Sequence, residues 1–192
     1  METFEAILNR RSIRKMKSDP IDDKTVEKIL EAARWAPSWA NTQCWRLVVV
    51  RDKDIKKQLS DTMFSFRRPD GTQAPNRTAQ AVNDAPVLIV VCAELGRSGC
   101  RPGGEPSTDK GGNWYMFDTA LAMQNLILEA HALGIGTVII GAFDAVKAAE
   151  ILEVPEGYCA VAMTPLGYSD QEPREVPRKE IPEIMFNDKF GA

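Results

Sequence analysis

The sequence predicts one layered domain in which four β-strands alternate with about six α-helices. Two observations carry this prediction: short apolar runs typical of buried strands, and longer segments whose apolar residues recur at helical spacing. A third is length, because 192 residues can build one sizeable core, and no linker or internal repeat divides them. We therefore expect a single domain over residues 1–192, with helices layered on a sheet.

Two helices are predicted before the first strand. The first covers residues 3–9, whose large apolar side chains share one face. The second begins at Asp22 or Asp23, either of which can cap it, and its apolar residues keep helical spacing to about Ala36. Pro37 ends this helix, because proline cannot donate a backbone hydrogen bond.

The middle of the chain predicts two buried strands, separated by two helices and a loop. The strands are residues 46–51 and 87–93, each built around an unbroken apolar run. Helices are expected over residues 54–63 and 78–83. Between them, residues 64–76 contain proline, glycine and several polar residues, which predicts a mobile loop.

Residues 96–112 begin the C-terminal half and are rich in glycine. A structureless loop of this length is usually a functional lid or a disordered insertion. Residues 113–133 are apolar nearly all round and predict a buried helix, in the core or in an oligomer interface. A strand, a helix and a last strand are expected at residues 137–140, 145–152 and 159–163. The tail, residues 167–192, cannot form its own core, so it is expected to extend as an arm over a neighbouring element or a partner chain.

Composition and charge exclude several classes of function. A net charge of -3 gives no electrostatic footprint for nucleic acid. No apolar run approaches the roughly 18 residues that a membrane-spanning helix needs. The acidic residues 1–5 lack the layout of a secretory signal. We expect a cytoplasmic protein that binds neither nucleic acid nor a membrane.

The cysteines, the single histidine and the buried acid offer little support for a metal site or a catalytic triad. The four cysteines are widely spaced and form no C-x-x-C pair. His131 lies in the apolar helix and is expected to be a buried imidazole with its hydrogen bonds satisfied. Asp118, in the same helix, is interpreted as a paired structural carboxylate, because an unpaired buried charge is costly. No metal and no catalytic acid–base side chain is predicted.

A basic run after the first helix opposes the net charge of the chain. Five cations fall within residues 10–17, in the sequence Arg10-Arg11-Ser12-Ile13-Arg14-Lys15-Met16-Lys17. Arginine presents a planar fork of donors that matches phosphate oxygens, and the serine hydroxyl adds another donor. Taken alone, the run is better interpreted as a solvated helix end, where cations favour the negative end of the dipole.

Two backbone phosphate loops can be rejected. The glycines of Gly134-Ile135-Gly136 lack the spacing of a dinucleotide loop and follow a helix instead of a strand. The segment Asp109-Lys110-Gly111-Gly112 contains only pieces of a Walker sequence. A phosphate site in this chain would therefore be built mainly from side chains.

Several short motifs, in the same order along nearly the whole chain, resemble the FMN-dependent nitroreductase family. No single motif is specific, but their common order is hard to obtain by chance. They are Arg10-Arg11-Ser12-Ile13-Arg14, Pro37-Ser38-x-x-Asn41-x-Gln43, Trp114-x-x-x-Asp118, Gly134-Ile135-Gly136-Thr137, Ile140-Gly141-Ala142-Phe143-Asp144, Val154-Pro155-Glu156-Gly157, Leu166-Gly167-Tyr168 and Pro177-Arg178-Lys179.

The resemblance implies an α+β fold, a three-layer α/β/α sandwich around a mixed, mainly antiparallel sheet. It also implies a homodimer that exchanges its C-terminal arms and binds FMN at the dimer interface. In the family the basic run holds the cofactor, so Arg10 and Ser12 are expected at the phosphate, with Arg11 contributing. Arg14 is expected beside the pyrimidine edge of the flavin. Arg178, in the tail, is expected to close on the phosphate, whereas Lys15 and Lys17 do not match the family pattern.

Two further segments complete the site that the resemblance implies. One is expected to cover the flavin ring from the second subunit, with Pro37, Ser38, Trp39 and Asn41. The other is expected to bring backbone N–H groups to the ring nitrogen that accepts hydride, with Ile140, Gly141 and Ala142. Glycine at position 141 would let the backbone approach a flat ring closely.

The function that the resemblance implies is an NAD(P)H-dependent oxidoreductase working by a ping-pong cycle. Electrons would pass from NAD(P)H through FMN to an electron-poor small molecule, such as a nitroaromatic or a quinone. The cofactor would carry the chemistry, which fits the lack of a predicted acid–base residue. Two alternatives stay open: a flavoenzyme of the same fold that fragments flavin or removes halogen reductively, and a flavin-binding module without catalysis.

Overall fold

The structure, a computed structural model, describes residues 2–74 and 76–191. Its helices are α1 (Thr3–Asn9), α2 (Asp23–Arg34), α3 (Lys53–Asp61), α4 (Ala79–Asp84), α5 (Trp114–Ala132), α6 (Ala145–Ile151) and α7 (Ile181–Ile184). Its strands are β1 (Trp45–Val50), β2 (Phe66–Arg67), β3 (Gln73–Ala74), β4 (Val87–Glu94) and β5 (Tyr158–Leu166). Short 3-10 turns lie at Trp39–Asn41 and Gly111–Asn113.

The central sheet has the strand order β1-β4-β5, and both pairings are antiparallel. Val90 of β4 lies opposite Val48 of β1 and opposite Met163 of β5. The middle strand is buried along almost its whole length, as its unbroken apolar run predicts. Helical layers therefore cover both faces of the sheet.

Alternate residues of β4 feed two separate cores. Val87, Ile89 and Val91 pack with α2 and α5 on one face. Their neighbours Leu88 and Val90 pack on the other face with buried residues of α3, α4 and α6. This period-2 division gives three layers, helices on both sides of a sheet. The predicted α+β sandwich with a mainly antiparallel sheet is confirmed.

Two predicted segments are wrong in detail. Residues 137–140 form isolated β-bridges and no regular strand, because this segment pairs with two different neighbours: Thr137 with Ser12 and Ile140 with Met163. Residues 64–76 are not a simple loop, because they contain the antiparallel hairpin β2–β3. Its tight turn, closed by the Gly71 N–H donating to the Arg68 carbonyl (2.9 Å), accounts for the proline and glycine in the segment.

The tail starts in contact with the basic run and then leaves the body of the chain. The Lys17 N–H donates to the Tyr168 carbonyl (2.9 Å), and the Asp170 N–H donates to the Lys15 carbonyl (3.0 Å). Residues 172–191 are exposed at every position. In the part of the chain that the structure describes, no helix has the length and apolar character to cross a bilayer.

Candidate functional site

A cleft of about 1410 Å³ lies where four separate segments meet. They are the basic run, the hairpin region (residues 66–74 and 76–78), the segment 138–142 and the start of the tail, 171–178. We call it the cationic cleft. It is larger than the ~300–1,000 Å³ that a small-molecule pocket usually provides. Eight of the predicted site residues line it: Arg10, Arg11, Ser12, Arg14, Ile140, Gly141, Ala142 and Arg178.

Two buried residues flank Arg14 and Lys15 in the basic run, so these two side chains lie on the cleft side. Ile13 and Met16 are buried, and the Ile13 N–H donates to the Thr137 carbonyl (2.9 Å). Between them, the backbone N–H groups of Arg14 and Lys15 both donate to Oε1 of Gln171, each at 2.9 Å. Arg14 and Lys15 therefore line the cleft from a backbone fixed on two sides. The sequence prediction omitted Lys15, although its place between two apolar residues was the available signal.

Three arginines crowd the phosphate end that the sequence predicts. Arg10 is half-buried, and burial together with the neighbouring charges of Arg178 and Arg11 lowers its pKa from the ordinary value of an arginine. Like charges held together in a partly desolvated site oppose one another until an anion binds between them. The Arg11 guanidinium is anchored on the Leu8 carbonyl (2.5 Å). This arrangement suits a phosphate dianion.

The imidazole of His131 lies behind this cluster. Its Nε2 is buried without a hydrogen-bond partner among the described residues, so the prediction of a satisfied imidazole is wrong. Burial, then the charges of Arg10 and Arg11, lower the pKa of His131 from 6.5. The ring is neutral at pH 7, which avoids a further positive charge beside the arginines.

We expect the depressed pKa of His131 to make the protein without ligand sensitive to acid. Below the ordinary pKa of 6.5, the unfolded chain takes up a proton that the folded chain resists. The free energy of unfolding should then decrease as the pH is lowered. Urea unfolding across about pH 7.5 to 5.5 measures this slope. In His131→Leu the slope should be smaller, and an equal slope in both proteins would exclude this role for the imidazole.

Gly141 forms an open part of the cleft wall. A Cβ placed on it would meet no protein atom within 4 Å, and its φ lies outside the positive range. The neighbouring Ala142 carbonyl accepts from the Phe64 N–H (3.0 Å), which fixes the wall to the base of the β2–β3 hairpin. A flat ligand can therefore approach the backbone at Gly141 closely.

A methyl group at this position should interfere with the ligand and leave the fold intact. We expect Gly141→Ala to unfold within about 0.5 kcal/mol of the parent, because nothing in the protein opposes the methyl. Its affinity for FMN should fall about tenfold, the cost of overpacking a fitted contact. Fluorescence titration with FMN gives the affinity. Gly112→Ala is the matched control, since its Cβ also meets nothing within 4 Å and it lies outside the cleft. Equal FMN affinity in both variants would contradict the prediction that the ligand lies against the backbone at Gly141.

The other four predicted residues, Pro37, Ser38, Trp39 and Asn41, do not line the cationic cleft of their own chain. Their loop is tightly folded, with positive φ at Ala40 (45°), Asn41 (54°) and Gln43 (47°). The Gln43 N–H donates to the Ser38 hydroxyl (2.9 Å). The Trp39 ring packs edge-on against Trp114 of α5, with centroids 5.2 Å apart. One chain thus presents two separate halves of the predicted site.

Asp118 holds the second half together. Its carboxylate is buried and accepts from the Trp39 N–H (3.0 Å) and the Ser98 hydroxyl (2.5 Å), while the Cys44 thiol lies 4.0 Å away. The interpretation of Asp118 as a structural carboxylate is confirmed, although it is satisfied by hydrogen bonds and joins no ion pair among the described residues. The same contact fixes the glycine-rich segment 96–112, which also packs Gly99 against Trp114. That segment is ordered at its base and not a disordered insertion.

Burial leaves two of the cysteines as poor nucleophiles. It raises the pKa of the Cys44 thiol to about 11, with Asp118 adding to the effect. It also raises the pKa of the Cys92 thiol to about 11. Within residues 2–74 and 76–191, no group of three or more potential metal ligands is found. The chemistry that the cleft can offer is anion binding and ring binding.

The hairpin region contributes cations that the predicted site did not include. Arg67, Arg68 and Arg77 line the cleft from this side, and Arg174 lines it from the tail. In the sequence these arginines only add charge to a polar segment, and no motif connects them with the basic run. Tertiary structure alone brings them there.

Fold and cleft together define a class of protein. It is a three-layer α/β/α protein whose large cleft is open at a glycine and lined by many arginines. Such a cleft suits a flat anionic ligand. The model of the family described as "Nitroreductase family" matches residues 7–168. The chain belongs to the nitroreductase family. A relative from Archaeoglobus fulgidus, provisionally named NADH dehydrogenase/NAD(P)H nitroreductase, is 35% identical over 176 residues, which cover 89% of this chain and 87% of the relative.

Solved structures with the same fold agree with this assignment. A nitroreductase family protein from Clostridium novyi NT superposes with a TM-score of 0.73 at 31% identity, over 100% of this chain and 96% of the other. An FMN-dependent nitroreductase from Clostridium difficile R20291 superposes with a TM-score of 0.74 at 26% identity, over 97% and 99%.

Proposed function

We propose that this protein is a homodimeric, FMN-dependent oxidoreductase that passes electrons from NAD(P)H to an electron-poor small molecule such as a nitroaromatic or a quinone. The observation that carries the proposal is the cationic cleft of a nitroreductase-family chain, whose lining includes both the repelling arginines and the open glycine. NAD(P)H and FMN are named for similar proteins. The cytoplasmic location stays a prediction from the sequence.

The residues of the cleft have separable tasks. Arg10, Arg11 and Arg178 would hold the phosphate, with the Ser12 hydroxyl as an additional donor. Arg14, further along the cleft wall, would place a fixed positive charge at the edge of the ring. The backbone at Gly141 would lie against the ring. When bound, FMN supplies the redox chemistry by accepting electrons from one substrate and passing them to the next.

The proposed homodimer accounts for apolar surface that one chain leaves uncovered. Phe4, Ile7 and Leu8 of α1 are each more than half exposed, as is Phe117 of α5. The tail carries a further set of exposed apolar side chains: Val176, Ile181, Ile184, Met185, Phe186 and Phe190. Such surface is typical of an interaction site. A second copy that receives the arm would bury it.

A homodimer would also complete the site. The loop of Pro37, Ser38, Trp39 and Asn41 lies outside the cleft of its own chain, so it can cover a flavin only across an interface. Asp118 and α5 fix that loop in a defined position before the two chains meet. Each subunit would then supply the phosphate half of one site and the ring cover of the other.

A single cleft that served both substrates would require a ping-pong cycle. The spent nucleotide would have to leave before the acceptor can bind over the same face of the ring. Two separate half-reactions test this: NAD(P)H should reduce the bound flavin anaerobically without acceptor, and a nitroaromatic or quinone should then reoxidise it. Failure of the first half-reaction, with efficient reduction by another donor, would favour a same-fold enzyme of different chemistry. Reduction without any reoxidation by an acceptor would favour a binding module.

A further inference from the structure

The cationic cleft holds more positive charge than one FMN phosphate can use. Nine cationic side chains line it: Arg10, Arg11, Arg14, Lys15, Arg67, Arg68, Arg77, Arg174 and Arg178. Glu172 is the single acidic residue among the lining residues that the structure describes. A bound phosphate dianion would leave most of this charge without a counterpart.

The cleft cations differ from those on the remaining surface. Seven ion pairs are found among the described residues, and the cation of each one lies outside the cleft: Arg34, Arg46, Arg51, Lys57, Arg97, Lys110 and Lys147. None of the nine cleft cations pairs with a carboxylate of residues 2–74 or 76–191. All nine cleft cations are thus unpaired, whereas seven of the fifteen cations elsewhere in the described chain are paired.

The surplus charge on the hairpin side is held in place by the backbone. Arg67 lies in β2, and Arg68 begins the tight turn, where its N–H donates to the Thr72 carbonyl (2.7 Å). Arg77 lies between Asn76 and Thr78, which are joined by the Thr78 N–H donating to Oδ1 of Asn76 (3.0 Å). The base of the hairpin is bonded to the Ala142 wall. Hydrogen bonds therefore hold the backbone beside each of these three arginines, whose side chains are exposed.

We propose that Arg67, Arg68 and Arg77 recognise the 2′-phosphate of NADPH, so that the enzyme prefers NADPH to NADH. This inference rests on the proposed function and names the electron donor for the same cleft. NADPH differs from NADH by one phosphate dianion, and guanidinium forks match phosphate geometry. The cleft volume, above that of a usual single-ligand pocket, leaves room for a second ligand beside FMN.

Calorimetry tests the binding of the phosphate without any turnover. Purified protein should bind 2′,5′-ADP at least about tenfold more tightly than 5′-AMP, the effect of one well-placed charge-assisted contact. The double variant R67S/R68S and the single variant R77S should lose most of this difference. Arg34→Ser, an exposed arginine outside the cleft, should keep it. Equal binding of the two nucleotides by the parent protein would overturn the proposal.

Kinetics give the second readout. The ratio of kcat/KM for NADPH to that for NADH should exceed about ten in the parent and fall towards one in the hairpin variants, with the NADH value little changed. Equal losses for both nucleotides would overturn the proposal. A second outcome would also overturn it: the hairpin variants keep the parental ratio of NADPH to NADH, and only their KM for a carboxylated acceptor rises. That outcome would assign the arginines to an anionic acceptor. If neither nucleotide reduced the flavin, the proposed function would fail, while the calorimetric result would still decide this inference.

Discussion

Replacing Arg10 by alanine should weaken FMN binding about 10- to 100-fold, the value of one or more charge-assisted hydrogen bonds to a phosphate. Arg10 is half-buried beside Arg178 and Arg11, and burial followed by their charges lowers its pKa. A dianion relieves this repulsion, so much of the affinity for FMN should come from this cluster. The variant without cofactor should be no less stable than the parent, because the substitution also removes a like-charge repulsion.

Riboflavin makes this prediction specific to the phosphate. It lacks that group, so it should bind the parent and Arg10→Ala with similar affinity, while only FMN distinguishes them. Lys17→Ala is the matched control, because Lys17 belongs to the same basic run but does not line the cleft. Fluorescence titration of the three proteins with both flavins gives all the values. An FMN affinity that Arg10→Ala leaves unchanged would remove the phosphate from this end of the cleft.

Replacing Asp118 by alanine should lower the free energy of unfolding by about 2–5 kcal/mol, since two buried donors would each lose their acceptor. The donors are the Trp39 N–H and the Ser98 hydroxyl, which belong to two different loops. Both loops should loosen together. Urea unfolding measures the loss, and Asp118→Asn, which keeps one carbonyl oxygen, should lie between the alanine variant and the parent.

Asp144 provides the control: a carboxylate that caps a helix and whose removal should cost much less unfolding free energy. It caps α6 by accepting from the Lys147 N–H (3.1 Å), so Asp144→Ala should cost only about 1 kcal/mol.

A second expected result concerns function. Asp118→Ala should also retain FMN less well, although Asp118 is not in the cleft, because it positions the loop proposed to cover the partner's flavin. A variant as stable as Asp144→Ala, with parental FMN retention, would contradict both roles.

The sequence predicted most of the layered core because the signals there are local. The apolar run of β4 and the periodic apolar residues of α2 are each visible within a dozen residues. The strand predicted at residues 137–140 failed for the opposite reason. Thr137 and Ile140 find partners that lie far apart in sequence, at Ser12 and Met163, and no local pattern reveals which will pair. The hairpin β2–β3 was missed because its strands are only two residues long.

The same distinction applies to the candidate site. Arg10, Gly141 and Arg178 were predicted from motifs, and the fold brings these three distant segments to one cleft. The role of Lys15 was missed because burial of Ile13 and Met16 decides which side chains face the cleft. Arg67 and Arg77 were not connected with it at all, since the contact between Phe64 and Ala142 that places the hairpin is a tertiary one.

The absorbance spectrum of the purified protein tests the central claim most directly. The account predicts the spectrum of an oxidised flavin, with FMN released on denaturation in a ratio of one per chain, and bleaching when NADPH or NADH is added without oxygen. If the protein loses its cofactor during purification, added FMN should restore the spectrum. A colourless protein that FMN cannot reconstitute would contradict the account.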